Sequence, residues 1–498
     1  MGIIIRQGIK HSIVRYSAIF LGLLSTLFIY PLVLNEIGLI RTIQAIALVA
    51  APLVLMGSNI AATRFFPTFK STPLEQAGFF TRLNRTSLGG AILVTLLYFF
   101  FQEPILQAYN VQDGPWKSIF NLTPAFIILL AFSQLYEFYT SNYQRIAIPA
   151  AIGELSLKVG LPLLFILYLN SIITFQTVVY LFLLVYVALD LGLLVYLKTL
   201  VSGPLFTRIP KISTTLRSEI RNFSAYNVFT SLSILVSVRI DLIMLSAMTN
   251  FTTSGIYSIN MMIGEVIDAP RQALIRITNP IIAEAMKQED HNKIAQLYQS
   301  TSLHMFMASL LLFVGILSSI DDLFSIMPNG DEVAKGKMVL IILGVTKLVD
   351  NVFGINSIIL QHSKWYRFLL AAVVFLASFN IFNNYLLIPK YEMIGAATAT
   401  LISGIGFNLM KYIRIRQTLK IQSFTWRIPV LLLIGIAAFA LGLLIPAGEA
   451  ETIWMACMNI VGRSILVGGL FVLLTYSLKL SPEVNGLIRN FASSIIKR

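Results

Sequence analysis

Glu265 and Asp268 stand three residues apart, which puts two carboxylates on one face of a helix. Like charges that close raise the proton affinity of one of them, so the pair is a candidate site for a proton or a cation. Asp241 adds a third carboxylate in the preceding apolar segment. Arg239, two residues before it, points to a different face. Arg271 and Arg276 follow the acidic pair, and Arg41 opens an earlier apolar segment. The competing reading of the cluster is a local ion-pair network, with Asp268 and Arg271 three apart. For Arg41 the competing reading is an arginine at a membrane interface, its head group reaching water.

Other charges pair within one helix. Glu154 and Lys158 are four apart, and Lys347 and Asp350 are three apart, so each couple reads as self-neutralising. Asp190 is alone in its segment. Arg463 reads as structural or lipid-facing, and Arg64 as an anchor on the basic side of a membrane. One cysteine, Cys457, and four histidines leave little material for a catalytic triad or a zinc site. There is no Gly-x4-Gly-Lys-Ser/Thr loop for nucleotide phosphates. The chain is therefore read as no enzyme, with no cofactor beyond Na+ or H+ as a coupling ion.

The elements that hold these charges follow from composition. Of 498 residues, 56% are hydrophobic and 12% charged, and the mean hydropathy is +0.79. So few charges cannot cover the surface of a soluble protein of this size, where about 25% is ordinary. A helix crosses the hydrocarbon core with about 20 apolar residues. Fourteen such runs lie near 13–34, 39–62, 86–102, 118–139, 147–168, 172–196, 223–247, 254–282, 299–320, 338–359, 366–388, 393–410, 428–446 and 458–478. No small-residue cleavage pattern follows the first run, so it is read as a retained span.

Basic residues set the orientation. With both ends in the cytoplasm, the inner segments, counted with the inner end of the eighth run, hold 28 Lys and Arg and the outer loops four: Lys117, Lys335, Lys337 and Lys390. That asymmetry accounts for the net charge of +14 without nucleic acid. It makes anionic inner-leaflet lipid the counterpart of the basic loops.

The fold class expected is an all-α integral membrane protein with two pseudo-symmetric six-helix lobes and two C-terminal helices. The segment 201–222, with Pro204, Pro210 and basic residues, separates an N-terminal lobe over 1–200 from a C-terminal lobe over 223–420. The trailing helices and a basic tail occupy 421–498. A weak repeat supports the two lobes: Tyr16, a turn at Gly38 and Pro67 are echoed by Tyr226, a turn at Gly255 and Pro280. Pro52, Pro162 and Pro270 interrupt spans, as moving gates or ordinary membrane kinks would.

Asn380-Ile381-Phe382-Asn383-Asn384-Tyr385-Leu386-Leu387-Ile388-Pro389-Lys390-Tyr391 leads into Ile394-Gly395-Ala396-Ala397-Thr398-Ala399-Thr400. This resembles the signature of the eleventh and twelfth helices of polysaccharide flippases. Arg239-Ile240-Asp241 followed by Gly255-Ile256-Tyr257, and Gly57 through Pro67, are similar to that family's seventh, eighth and second helices. The resemblance is to the O-antigen and capsule branch of the multidrug/oligosaccharidyl-lipid/polysaccharide exporters. One position departs: the residue after Tyr391 is usually Gly and here is Glu392. The small residues around Gly395 also have a plain physical role, letting helices approach closely in lipid.

The resemblance implies a MATE-like fold that flips a polyprenyl-pyrophosphate-linked oligosaccharide across a bacterial inner membrane by alternating access. It implies drive by a cation gradient or the membrane potential. Arg41, Arg239, Arg271 and Arg276 would face the pyrophosphate, since guanidinium is permanently charged and bidentate. Asp241, Glu265 and Asp268 would couple the cation. Asn227, Ser231, Ser233, Gln44, Asn59 and Thr140 could meet sugar hydroxyls. The partners implied are membrane lipids, the lipid-linked oligosaccharide, and a polysaccharide polymerase with its chain-length machinery; nucleic acid is not one. Two alternatives share the fold: a peptidoglycan lipid II flippase, and a multidrug or cation antiporter, which usually has twelve helices. A membrane polymerase or ligase would need a large outer loop, and a channel a filter or a regular arginine helix; neither is present.

Overall fold

A computed structural model describes residues 2–208, 212–445, 452–486 and 489, and all regular structure among them is helical. Pro210, Gly448 and most of the basic tail lie outside the described residues. The chain divides into two compact units: 1–258 with 377–396, and 259–376 with 397–498. The lobe boundary expected at 201–222 falls inside the first unit.

The helices of the first unit include α1 (Gly2–Phe28), α2 (Leu34–Leu55), α3 (Ser58–Arg64), α4 (Pro73–Phe100), α5 (Thr123–Ser141), α6 (Ser156–Leu169), α7 (Phe175–Leu200) and α8 (Thr214–Met248). Their starts are legible in side chains. Thr72, ahead of Pro73, accepts from the Glu75 backbone N–H; Thr174 and Ser213 cap α7 and α8 in the same way. α2 is the most enclosed helix, burying Ile37, Leu39, Ile43, Ala47, Ala51 and Val54 against α4, α5 and α8. α4 shows the opposite pattern. Its Ala91, Val94 and Tyr98 are buried, while Leu88, Ile92, Leu93, Leu96 and Phe100 are exposed. A helix whose open face is that apolar is matched to lipid rather than to water. Pro162 lies inside α6, and five residues of wider π-helix, Ala151–Leu155, precede that helix.

α9 (Phe251–Glu265) runs on from Asn250, and α10 (Ala269–Lys287) follows it after one turn of 3-10 helix, Val266–Asp268. The expected span 254–282 is therefore two helices. Pro270 starts α10 rather than kinking a continuous span, a position where its missing N–H costs nothing.

The second unit continues with α11 (His291–Ser318), α12 (Lys337–Val352) and α13 (Asn356–His362). Next come α14 (Tyr366–Leu419), α15 (Arg427–Gly442) and α16 (Ile453–Ser477). Phe306, Leu310, Leu431, Ala438, Val467 and Phe471 join α11, α15 and α16 in one core. Arg463, which the sequence left open as lipid-facing, is fully buried. It pairs with Asp322 and donates to the Ile445 carbonyl. A guanidinium enclosed on α16 needs that carboxylate, since an isolated buried charge is prohibitive.

Nine helices among the described residues are long and apolar enough to cross a bilayer, or ten when α12 and α13, bent by 46°, count as one span. One of the nine, α14, turns at Glu392 and holds both expected spans 366–388 and 393–410. The apolar parts Ile13–Phe28 and Arg427–Gly442 are shorter. The chain is thus an all-helical, multi-pass membrane protein.

Candidate functional site

In the first unit, Arg41 projects from α2, its guanidinium 5.3 Å from the Tyr30 ring centroid. It donates to Gln44 Oε1 at 2.9 Å, and Gln44 donates on to the Tyr186 hydroxyl of α7 at 3.2 Å. Arg41 is therefore fixed by a hydrogen-bonded neighbour and an aromatic face, which leaves its fork pre-organised. Arg239 on α8 is half-buried and forms no hydrogen bond or ion pair among the described residues.

Asp241 is 4% exposed and accepts from the Tyr257 hydroxyl at 2.5 Å. One turn earlier on α8, the Ser237 carbonyl accepts from Asn380 Nδ2 at 3.2 Å. One turn beyond Asn380 on α14, Asn384 is fully buried and donates to Asn380 Oδ1 and its carbonyl. Asn384 Oδ1 has no hydrogen-bond partner. Buried acceptors are almost always satisfied, so this amide oxygen is an exception among the buried polar groups. No group of three or more His, Cys, Asp or Glu suited to a metal occurs among the described residues. The asparagines at 380 and 384 carried the family resemblance in the sequence; their place beside α8 was not legible there.

The same unit holds a polar group the sequence left scattered. Asp190 on α7 accepts from Ser133 of α5 at 2.5 Å. Glu137, one turn on from Ser133, lies against Gly153 of the π-helix, where a Cβ would collide with its Oε1. Glu154 and Asp190 both act on Glu137 through their charge. No salt bridge joins Glu154 to Lys158 among the described residues; the ammonium of Lys158 reaches the open side of Gly22 instead.

In the second unit, Asp268 is 5% exposed and clasped by Arg271, with Nε to Oδ1 at 2.6 Å and Nη2 to Oδ2 at 3.0 Å. Gln272 adds a weaker contact at 3.4 Å. This two-point geometry is the strong form of an ion pair. The three-residue spacing of Glu265 and Asp268 does not give them one environment, because the 3-10 turn between them rotates Glu265 to an exposed position. Arg276 is exposed as well. Of the seven residues singled out in the sequence, the structure brings together Asp268 and Arg271. Asp241 gains Tyr257, and Arg41 gains Gln44.

No family model and no curated protein matches the sequence. The fold, by contrast, has solved counterparts. The lipid II flippase MurJ in an inward closed conformation superposes with a TM-score of 0.72 at 13% identity, over 95% of this chain and 99% of that one. An inward-facing MATE multidrug resistance transporter of the MOP superfamily gives 0.63 at 13% identity, over 82% and 98%. A MATE in a bent conformation gives 0.54 at 13% identity, over 84% and 95%. The fold is one that these solved membrane proteins share. More narrowly, it is the fold that the lipid II flippase shares with the MATE transporters of the MOP superfamily.

Proposed function

We propose that the chain flips a polyprenyl-pyrophosphate-linked oligosaccharide, an O-antigen, capsule or exopolysaccharide unit, from the cytoplasmic to the outer leaflet of a bacterial inner membrane. Fourteen crossings with both ends cytoplasmic, in two six-helix lobes and a trailing pair, form the expected frame. The observation that carries this reading is a flippase fold over 95% of the chain combined with arginines on membrane helices. Arginine in a span costs roughly 2.5–3.5 kcal/mol on insertion scales, a cost that phosphate oxygens offset by charge-assisted pairs. Arg41, held by Gln44 and Tyr30, and half-buried Arg239 are the two best suited to a diphosphate. Arg271 and Arg276 would add field.

No bond is made or broken in this transport. The polar head group needs a shielded path because passage through hydrocarbon strips its charges and hydroxyls of water. A cation, Na+ or H+, at Asp241 with Asn384 would bias the states, and Glu265 and Asp268 would sense it. A polymerase and chain-length machinery would take the product.

The lipid II reading has its own support in the fold likeness to the lipid II flippase. Both cargoes carry a polyprenyl pyrophosphate. Deletion of the gene followed by analysis of lipid-linked intermediates separates them. The expected result is accumulation of polyprenyl-linked oligosaccharide on the cytoplasmic leaflet. Accumulation of lipid II alone would replace this reading by the other.

A further inference from the structure

α12 and α13 are the two halves of a broken helix, bent by 46° across 353–355, where Gly354 takes a positive φ of 58°. A chain of side-chain hydrogen bonds, all pointing one way, spans the break. Lys411 Nζ on α14 donates to Ser357 Oγ of α13 at 3.0 Å. Ser357 donates to Asn356 Oδ1 at 3.4 Å. Asn356 Nδ2 donates to Asn408 Oδ1 at 3.1 Å, and Asn408 Nδ2 donates to Asp350 Oδ1 of α12 at 2.6 Å. The relay thus runs from an ammonium to a carboxylate through two amides and a hydroxyl. Each bond polarises the next in a surrounding of low dielectric. Asn356 and Asn408 are each 2% exposed and Lys411 is 3% exposed.

Lys411 has no carboxylate within ion-pair distance among the described residues. Its other neighbour is the Phe407 ring, whose centroid lies 3.7 Å from Nζ. Ammonium in such a place is supported by a ring face, one hydroxyl and a carboxylate at the far end of a relay. An isolated charge in such a place is costly, so the relay to Asp350 is its support. The charged groups that act on it from packed helices are Asp350 on α12 and Arg271 on α10, the latter closed on Asp268. On α14 itself, Arg414 is stacked on Trp365 and faces Phe368. On α13, His362 is bound to Asn279.

We propose that Lys411 is a proton-exchange site with Asp350 as its fixed counter-charge, and that its proton pins the broken helix α12–α13 to α14. The proton leaves Nζ for water and returns to it from water, and no other bond changes. With the proton on, the relay is held at both ends by full charges. With it off, the relay loses the full charge at its Lys411 end, so the two halves are free to change their angle. This concerns the ion and not the cargo.

Trp365 is the reporter, because the Arg414 guanidinium three residues past Lys411 lies 3.7 Å from its ring centroid. Full-length protein with Trp116, Trp426 and Trp454 replaced by Phe is placed in lipid nanodiscs. Trp365 fluorescence is then followed from about pH 5 to about pH 10, which brackets the range a buried lysine reaches. The expected result is a one-proton transition that is lost in both Lys411→Arg and Lys411→Met, the first keeping a permanent charge and the second none. Asp350→Asn removes the supporting anion and moves the midpoint to lower pH. Ser357→Ala, which removes a single hydroxyl, shifts the midpoint and serves where a charge variant does not fold. A flat trace for the parent protein, or a parent-like transition in either Lys411 variant, overturns the proposal.

Discussion

Gly38 and Gly255 each keep open the space that the other helix's backbone fills. A Cβ on Gly38 would strike the Phe251 carbonyl oxygen, and a Cβ on Gly255 would strike that of Leu34. Each oxygen belongs to the residue four before the opposite glycine, so the crossing of α2 and α9 is reciprocal. Asn35 and Thr252, separated by the same 217 residues, approach at 3.4 Å. Thr42, Ser246 and Ser254 form a hydroxyl ladder beside it, at 2.5 and 2.8 Å. Backbones this close are the membrane form of small-residue packing.

Either glycine replaced by Val should therefore push the helices apart. Overpacking of this kind costs about 1–3 kcal/mol. The second substitution should cost much less than the first, because a crossing already opened has little left to lose. Thermal melting of the purified single and double variants measures this. Fully additive losses would show that the two glycines do not share one contact.

Glu392 occupies the position where the resembled family carries Gly. Its backbone lies at φ 46° and ψ −124°, where a side chain is strained and glycine is not. Glu392→Gly should stabilise the protein by about 1–2 kcal/mol, read as a higher melting temperature. An unchanged or lower value would mean that the carboxylate contributes more than the turn costs.

That position also shows what the sequence can and cannot carry. Helix class, lipid exposure and the α14 turn follow from local patterns: apolar runs, a Pro389 near the bend, small residues around Gly395. Interactions between distant segments do not. Lys347 and Asp350 have helix spacing for an ion pair, yet Asp350 accepts from Asn408, 58 residues away. Arg463 stayed open between a structural and a lipid-facing reading because its partner Asp322 lies 141 residues earlier, on a separate short helix. Asp268 and Arg271 were legible because both partners sit on one helical turn. Glu265 was not, because a 3-10 turn breaks the period on which its pairing was counted.

Topology offers a direct check. In a Cys457→Ser background, a cysteine at Asn329 should react with an impermeant reagent added outside intact cells, and one at Thr214 should not. This follows from the concentration of Lys and Arg on the other side of each crossing. Outside labelling of Thr214 would reverse the orientation.

The arginines give the sharpest test of the proposed cargo, and the structure separates them into kinds. Arg271→Gln leaves Asp268 buried without its partner, which should cost about 3–5 kcal/mol and reduce expression. Adding Asp268→Asn should restore folding, so only the double variant reports on transport. Arg239 carries no such debt, since it bonds to no described residue. Arg239→Gln should fold normally and lose most glycan export, and Arg239→Lys should keep part of it, because a point charge attracts phosphate but lacks the fork. Arg41→Lys should lose more than Arg239→Lys, since Gln44 and the Tyr30 ring hold a planar guanidinium in place. Export is measured as surface glycan at equal protein level in a deletion strain. Normal export from well-expressed Gln variants at both Arg41 and Arg239 would place the diphosphate elsewhere in the protein.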